Sequence, residues 1–303
     1  MRTPESPHAG SLATSAQKRR LFRDLDRRDP AFADRISPFL EGLYKYYFRC
    51  EISGWENVPE NQALFVGNHN GLLTFEVLML FYAWWQQFGA SRRALGLAHG
   101  IALNNPFFRW IIPRIGAIPA DPELATEAVE RGYSLLVYPG GEKESFRPYT
   151  KRRKVDFFQR KGFIRLALKT GIPIIPIASI GAHESYIILH QGEELAEKLG
   201  LKEKFRLHGM PITIRSVFFL WCVTTGVFTF FPLLLAPAAF LAIFVPLPAQ
   251  MTFRILPPID ARALVDPALT DEQNLQKIYD HVLGALQTAV DIDYAKRKYP
   301  IIG

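Results

Sequence analysis

Apolar positions along the chain gather into short unbroken runs, separated by turn residues and by stretches with helical spacing. Ala63–Val66, Tyr133–Tyr138 (YSLLVY) and Ile172–Ile180 (IPIIPIASI) are runs of strand length without polar alternation. Such runs fit strands covered on both faces, as in parallel sheets. Glu51–Ser53, Leu95–Ala98 and Met251–Ile255 read as further strands. Helical patterns lie between them. Residues 17–48 repeat apolar side chains at three- and four-residue steps (Phe32, Ile36, Phe39, Leu40, Leu43, Tyr47). Glu76–Phe88, Glu123–Arg131, Gly162–Gly171, Glu193–Leu201 and Thr270–Lys296 read as helices, the last with Leu275, Ile278, Tyr279, Val282, Leu283 and Leu286 on one face. Pro106 begins a short helix, and Pro113–Pro119 (PRIGAIP) reads as a loop. The alternation predicts an α/β fold: a mixed, largely parallel central sheet flanked by helices.

One stretch departs from this rhythm. No charged residue occurs from Ser216 to Phe253, and Val217–Leu247 is almost wholly apolar, long enough to span a bilayer. Pro232, Pro237 and Pro246 divide it. If Met251–Ile255 joins the same sheet as the earlier strands, both ends lie on one side of a membrane, which a single crossing forbids. The pattern therefore favours a membrane-associating apolar hairpin or a monotopic insertion bent near the prolines, with a core-buried hairpin as the alternative. The aromatic-basic run Tyr44–Arg49 fits either a membrane interface or ordinary packing on the core.

Composition sharpens the picture in two respects. The net charge is +7, and the segment Glu142–Lys169 alone holds ten basic against three acidic residues. The rest of the chain is balanced, so the basicity is a local patch suited to phosphate on a cofactor or lipid head group. A solvated helix face is the plainer reading, since Arg165 and Lys169 stand at i, i+4. No nucleic-acid-binding motif accompanies the patch. Two distant cysteines, Cys50 and Cys222, give neither a disulfide framework nor a metal site. Residues 1–30 are polar, without the apolar core of a secretory signal, so the expectation is a cytoplasmic chain whose first ~15 residues are disordered.

The candidate chemistry sits at strand ends, where α/β folds place their ligands. Leu64–Glu76 (LFVGNHNGLLTFE) is a strand, a turn and a helix start that presents Asn68 and His69, with Glu76 seven residues on. A histidine there is a candidate general base, or simply a cap on the following helix. Pro139-Gly140-Gly141 follows the strand at Tyr133–Tyr138, with Glu144 and Arg147 close behind, and His183-Glu184 follow Ile172–Ile180. A Pro-Gly-Gly turn taken alone is more often structural.

Taken in order, GNHNGLLTFE, PRIGAIPAD, VYPGGEKESFRP and GIPIIPIASIGAHES resemble the four blocks of the phospholipid/glycerol acyltransferase family, which includes the lysophosphatidate acyltransferases. The Pro-Gly-Gly-x-x-Glu form of the third block is similar to the diacylglycerol-acyltransferase-like branch. The resemblance runs over roughly residues 48–260, and its specificity lies in four blocks in the right order and spacing. It implies a membrane-associated enzyme that moves an acyl chain from acyl-CoA or acyl-carrier protein to a hydroxyl of a glycerolipid or lipid alcohol at the cytoplasmic membrane face. No metal or redox cofactor is implied, nor a nucleic-acid partner. On this reading residues 1–48 form a disordered segment and an interfacial helix, and 49–303 form the acyltransferase domain with an apolar insertion at 216–250.

The family's first block is His-x4-Asp, in which the carboxylate orients the imidazole that deprotonates the acceptor. The histidine falls on His69, but the aspartate position is Thr74. Glu76 is the nearest acid, and the expectation is that it takes the aspartate's place. The resemblance further implies that Asn68, Arg114, Pro139, Gly140, Gly141 and Glu144 bind substrate, and that Arg147 with Lys151–Lys154 holds phosphate. The altered block leaves a catalytically impaired lipid-binding protein as the alternative. An esterase is disfavoured by the lack of a Gly-x-Ser-x-Gly elbow.

Overall fold

Seven strands form one sheet in the computed structural model, which describes residues 25, 28–72, 74–89, 91–98, 110–201, 203, 207–224, 240 and 243–299. The elements follow in chain order. Helix α1 (Pro30–Gly42) continues as a π-helical turn over Leu43–Tyr47. Then come β1 (Glu51–Ser53), β2 (Leu64–Gly67), α2 (Phe75–Phe88), β3 (Ala94–Ala98), β4 (Ala117–Pro119), α3 (Pro122–Glu130), β5 (Ser134–Val137) and α4 (Gly141–Ser145). They are followed by α5 (Gly162–Thr170), β6 (Ile174–Ile180), α6 (Ala182–Ser185), β7 (Ile188–His190), α7 (Glu193–Lys198), β8 (Ile212–Thr213), α8 (Ile214–Thr224), β9 (Thr252–Ile255) and α9 (Asp271–Lys296).

The sheet order is β1-β9-β6-β2-β5-β3-β4. Strands β6, β2, β5, β3 and β4 are mutually parallel, β9 runs antiparallel to β6, and β1 lies parallel to β9. This is the mixed, largely parallel sheet expected from the unbroken apolar runs. Alternate strand residues feed two cores. Leu64, Val66, Leu135, Ile174, Ala178 and Ile180 pack under α3, α5 and α9. Phe65, Leu136, Ile175, Ile177, Phe253 and Ile255 pack under α1 and α2. Both faces of β2 and β6 are therefore buried, which explains runs without polar alternation.

Three details differ from the sequence reading. The segment read as a loop at Pro113–Pro119 ends in β4, a three-residue edge strand too short and too proline-bound to show a period. Phe39 lies on the amphipathic stripe of α1 yet stays 68% exposed, while its neighbour Leu40 is buried. Strands β7 and β8 pair with each other outside the main sheet. The first ~15 residues, expected to be disordered, and Pro106–Arg109 of the expected short helix lie outside the described residues.

Strand β9 does join the main sheet, so the two ends of the apolar stretch return to one place. Arg215 Nη1 donates to the carbonyl of Val245, and the Phe219 and Phe240 rings lie 5.8 Å apart. Residues 225–239, the bend of the expected hairpin, lie outside the described residues. Among the described residues no helix is long and apolar enough to cross a membrane. Helix α8 nevertheless shows solvent Phe218 (63% exposed) and Trp221 (55%), together with Ile214, Val217, Leu220 and Val223, and Phe244 and Val245 are exposed beside it.

Candidate active site

Strand β2 ends at Gly67, and the next residues project from the C-terminal edge of the sheet between β6 and β5. Asn68 fastens this projection to β6. Its Nδ2 donates to the Ser179 carbonyl at 2.8 Å, and its Oδ1 accepts from the Ser179 amide at 2.8 Å. Asn70 Nδ2 adds donations to Ser179 O (2.5 Å) and Oγ (2.7 Å). His69, between these anchors, is held by its main chain. Its amide donates to Glu144 Oε2 at 2.8 Å, and its carbonyl accepts from Arg147 Nη2 at 3.0 Å.

The His69 side chain meets Glu76. Nδ1 lies 2.5 Å from Glu76 Oε1, which also accepts the Asn70 amide at 3.2 Å. Glu76 is buried, and the His69 side chain keeps 11% of its surface. Among the described residues Nε2 has no protein hydrogen-bond partner, so it is the nitrogen left for a reactant. The local chain explains how an acid seven residues on reaches back. Thr74 caps α2 in a left-handed conformation (φ 52°), and Glu76 is only the second helical residue. Side chains in a helix lean toward its N-terminus. Glu76 therefore points back over the turn, where the helix dipole also favours a carboxylate. Thr74, at the position of the family aspartate, makes no side-chain cap.

Arg147 is the hub of the buried polar groups. Nε donates to His183 Nε2 (2.9 Å), and Nη1 donates to Glu144 Oε1 (3.2 Å) and to the Lys154 carbonyl. Nη2 donates to His69 O (3.0 Å) and Asn70 Oδ1 (3.2 Å). All five guanidinium donors are thus spent on protein. Burial raises the Glu144 carboxyl above the usual range, opposed by Arg147 and by the amides of His69 and Asp156. Burial holds His183 well below the ordinary imidazole range, reinforced by Arg147 and then by His69 and Arg152. A neutral His183 is what an acceptor of the Arg147 Nε–H must be.

The expected substrate-binding residues are accordingly redistributed. His69 and Glu76 come together. Asn68, Glu144 and Arg147 stand beside them but face inward. Asn68 is consumed in joining β2 to β6, and Glu144 is fully buried. Arg147 has no donor left for a phosphate. The Pro139 and Gly140 carbonyls accept from Arg160 Nη1, each at 3.1 Å. Gly140 is glycine for space, because a Cβ there would fall 2.2 Å from Glu144 Oε2. Gly141 opens α4, which carries Glu144.

Arg114 is not part of this cluster. It precedes β4, and β4 is parallel to its neighbour, so Arg114 lies at the opposite edge of the sheet from His69. There it stacks on Trp110 at 4.1 Å and faces Phe32, beside a cavity between α1 and α2. The basic run is likewise divided among local partners. Arg152 stacks on Tyr149 at 4.0 Å, Lys154 pairs with Asp156 at 2.9 Å, and Lys161 pairs with Glu272 at 2.5 Å. Among the described residues no three His, Cys, Asp or Glu side chains come together to hold a metal.

Sequence reasoning passed over three neighbours of His69. Ser179 anchors Asn68 and Asn70, Ser145 Oγ donates to the Gly71 carbonyl, and the Tyr138 ring packs 4.8 Å from the imidazole. Their signal was position: Ser179 and Tyr138 lie at or just after a strand end and Ser145 ends α4, each in one of the singled-out blocks.

Residues 49–180, which carry His69, Glu76 and the α4 segment, match the acyltransferase family model. Over that segment the chain is similar to acyltransferases. An uncharacterized protein of Mycobacterium tuberculosis is 34% identical over 175 residues, 57% of this chain and 49% of that protein. The chicken (Gallus gallus) DGAT1/2-independent enzyme synthesizing storage lipids is 27% identical over 172 residues, 57% of this chain and 50% of that enzyme. The chain spans about half the length of these relatives. The crystal structure of the 1-acyl-sn-glycerophosphate (LPA) acyltransferase PlsC from Thermotoga maritima aligns over 96% of this chain and 93% of that one. Its TM-score is 0.49, at 17% identity.

Proposed function

We propose that the chain is an O-acyltransferase that moves an acyl group from a thioester, acyl-CoA or acyl-carrier protein, to a hydroxyl of a glycerolipid or lipid alcohol. The observation that carries this reading is the buried His69–Glu76 pair, 2.5 Å apart, at the C-terminal edge of the parallel strands. Glu76 supplies the carboxylate whose absence from position 74 had opened the lipid-binding alternative. His69 Nε2 takes the proton of the acceptor hydroxyl as its oxygen attacks the thioester carbonyl. Glu76 holds Nδ1–H and the imidazolium that forms. The carbon–sulfur bond then breaks, and the proton passes to the departing thiolate. Glu144, Arg147 and Asn68 fix the backbone on which His69 rides. No metal or redox group takes part in these steps.

The acceptor comes from a membrane in this reading, at its cytoplasmic face. The exposed aromatic face of α8 supports it. So does the connection of the exposed Phe244–Val245 segment beside it to the site: Tyr186 Oη donates to the Phe244 carbonyl at 2.6 Å, and the Leu247 amide donates to the Ser185 carbonyl at 2.8 Å, at the end of α6. The chicken relative is named for synthesizing storage lipids, which fits a neutral glycerolipid acceptor here.

The test is transfer of a radiolabelled acyl chain from acyl-CoA, or from a carrier-protein thioester, into total membrane lipid. His69→Ala is expected to lose about 10²–10⁴-fold in rate, as for a general base. Glu76→Ala is expected to lose at least tenfold, and full activity in that variant would refute its assignment. Labelled free fatty acid would mean hydrolysis, and no product from either donor would mean lipid binding without turnover.

A further inference from the structure

Two buried polar atoms beside the His69–Glu76 pair have no hydrogen-bond partner among the described residues: Glu76 Oε2 and the Tyr138 hydroxyl. Tyr138 immediately follows β5, and its ring fills the space above Gly67. A Cβ at 67 would lie 2.5 Å from Tyr138 Cε1, so glycine is what admits the ring. The same ring packs against the His69 imidazole, with centroids 4.8 Å apart and planes inclined by 34°. Tyr138 thus touches the imidazole through its face and turns its hydroxyl into the buried region behind it.

Two carboxylates face that hydroxyl, and their charges join burial in raising its ionisation well above the ordinary phenol value. It is therefore a permanent donor. Glu144 has both oxygens engaged, Oε2 by the His69 amide and Oε1 by Arg147 Nη1 and the Asp156 amide. Glu76 has one oxygen on His69 and Asn70, and the other orphaned. A buried carboxylate oxygen without a donor is costly, and so is a buried hydroxyl without an acceptor. A single water between them would satisfy both, since water-mediated bonds serve nearly as well as direct ones.

We infer that Tyr138 is a positioning residue of the candidate site, its ring setting the plane of the His69 imidazole and its hydroxyl serving, through a bridging water, as the donor to Glu76 Oε2. This rests on the acyltransferase reading for its purpose, but not for its physics. With Oε2 held, Oε1 stays aimed at Nδ1, and the carboxylate's hold on the imidazolium is tempered, so that Nε2 can release its proton again. The other groups facing the pair are Glu144 and Arg147 from the α4 segment, His183 from α6 and Tyr186 just beyond it. None of them is altered by substituting Tyr138.

The test is the titration of His69 in ¹⁵N-histidine-labelled protein, followed by NMR in wild type, Tyr138→Phe and Tyr138→Leu. Removing the hydroxyl leaves the Glu76 anion less stabilised, so it attracts the imidazolium more strongly. Tyr138→Phe is therefore expected to raise the proton affinity of His69 about three- to tenfold, moving its midpoint to higher pH. Tyr138→Leu is expected also to broaden the Nδ1–H resonance, because the ring no longer fixes the imidazole plane. An unchanged His69 midpoint in Tyr138→Phe would overturn the inference, including the case where acyl transfer slows without it, since the hydroxyl would then serve the substrate. If the shift appears while wild type transfers no acyl group to any lipid, the acyltransferase reading fails and the Tyr138–Glu76 link stands.

Discussion

Arg147→Met separates a structural arginine from a phosphate-binding one. The substitution keeps the length and apolar volume of the stem but removes five donors. It strands four acceptors, His183 Nε2, the carbonyls of Lys154 and His69, and Asn70 Oδ1, and leaves Glu144 Oε1 with the Asp156 amide alone. Glu144, fully buried, loses the only cation among the described residues that pairs with it. Removing one partner of a buried ion pair costs about 3–5 kcal/mol. That figure overlaps with the ~1–3 kcal/mol for each stranded acceptor, so about 4 kcal/mol is expected in all. Arg147→Lys keeps the charge but draws its donors from one atom, so it recovers only part of the loss. Adding Glu144→Gln to Arg147→Met removes the uncompensated charge and restores about 1 kcal/mol or more through pairwise coupling. Urea unfolding followed by tryptophan fluorescence reads these differences. A loss below about 1 kcal/mol, a typical substitution effect, would refute the hub reading. So would unchanged stability combined with weaker binding of anionic lipid.

His183 makes stability pH-dependent in a defined sense. Burial depresses its proton affinity in the folded state below the ordinary value of 6.5, so below that pH the unfolded chain binds the extra proton and the folded state loses ground. Relative to His183→Asn, wild type is expected to lose up to about 1.4 kcal/mol per pH unit below that value, with no difference in slope above it. Parallel slopes in urea titrations at pH 7.5 and 5.5 would sink the idea. Phe218→Glu with Trp221→Glu is expected to weaken flotation with anionic phospholipid vesicles at least about tenfold, since each large apolar side chain contributes roughly 1.5–3 kcal/mol when fully buried. Unchanged flotation would remove α8 from the membrane contact.

The elements that the amino-acid order alone determined are those whose evidence is local. The unbroken run at Ile172–Ile180 could only be a strand buried on both faces, and β6 is one. Thr270 and Gln273 spell out the capping box that starts α9. The four ordered blocks carried the resemblance to acyltransferases and pointed to His69. The edge strand β4 was invisible because three residues carry no period. What tertiary structure decided was which polar groups meet and which way they face. Glu76 meets His69 only because a left-handed Thr74 precedes α2 and the second helical residue leans back over the turn. Arg147 and Arg114 look alike in sequence, each a lone arginine in a family block. One is folded inward among five acceptors and the other stacks on Trp110 across the sheet, because strand direction assigns them to opposite edges. Tyr138 took its place from the register of β5 against β2, which sets its ring over Gly67 and under the imidazole. Charge and hydropathy along a chain fix what a residue can do. Only the long-range pairing of strands fixes what it does it to.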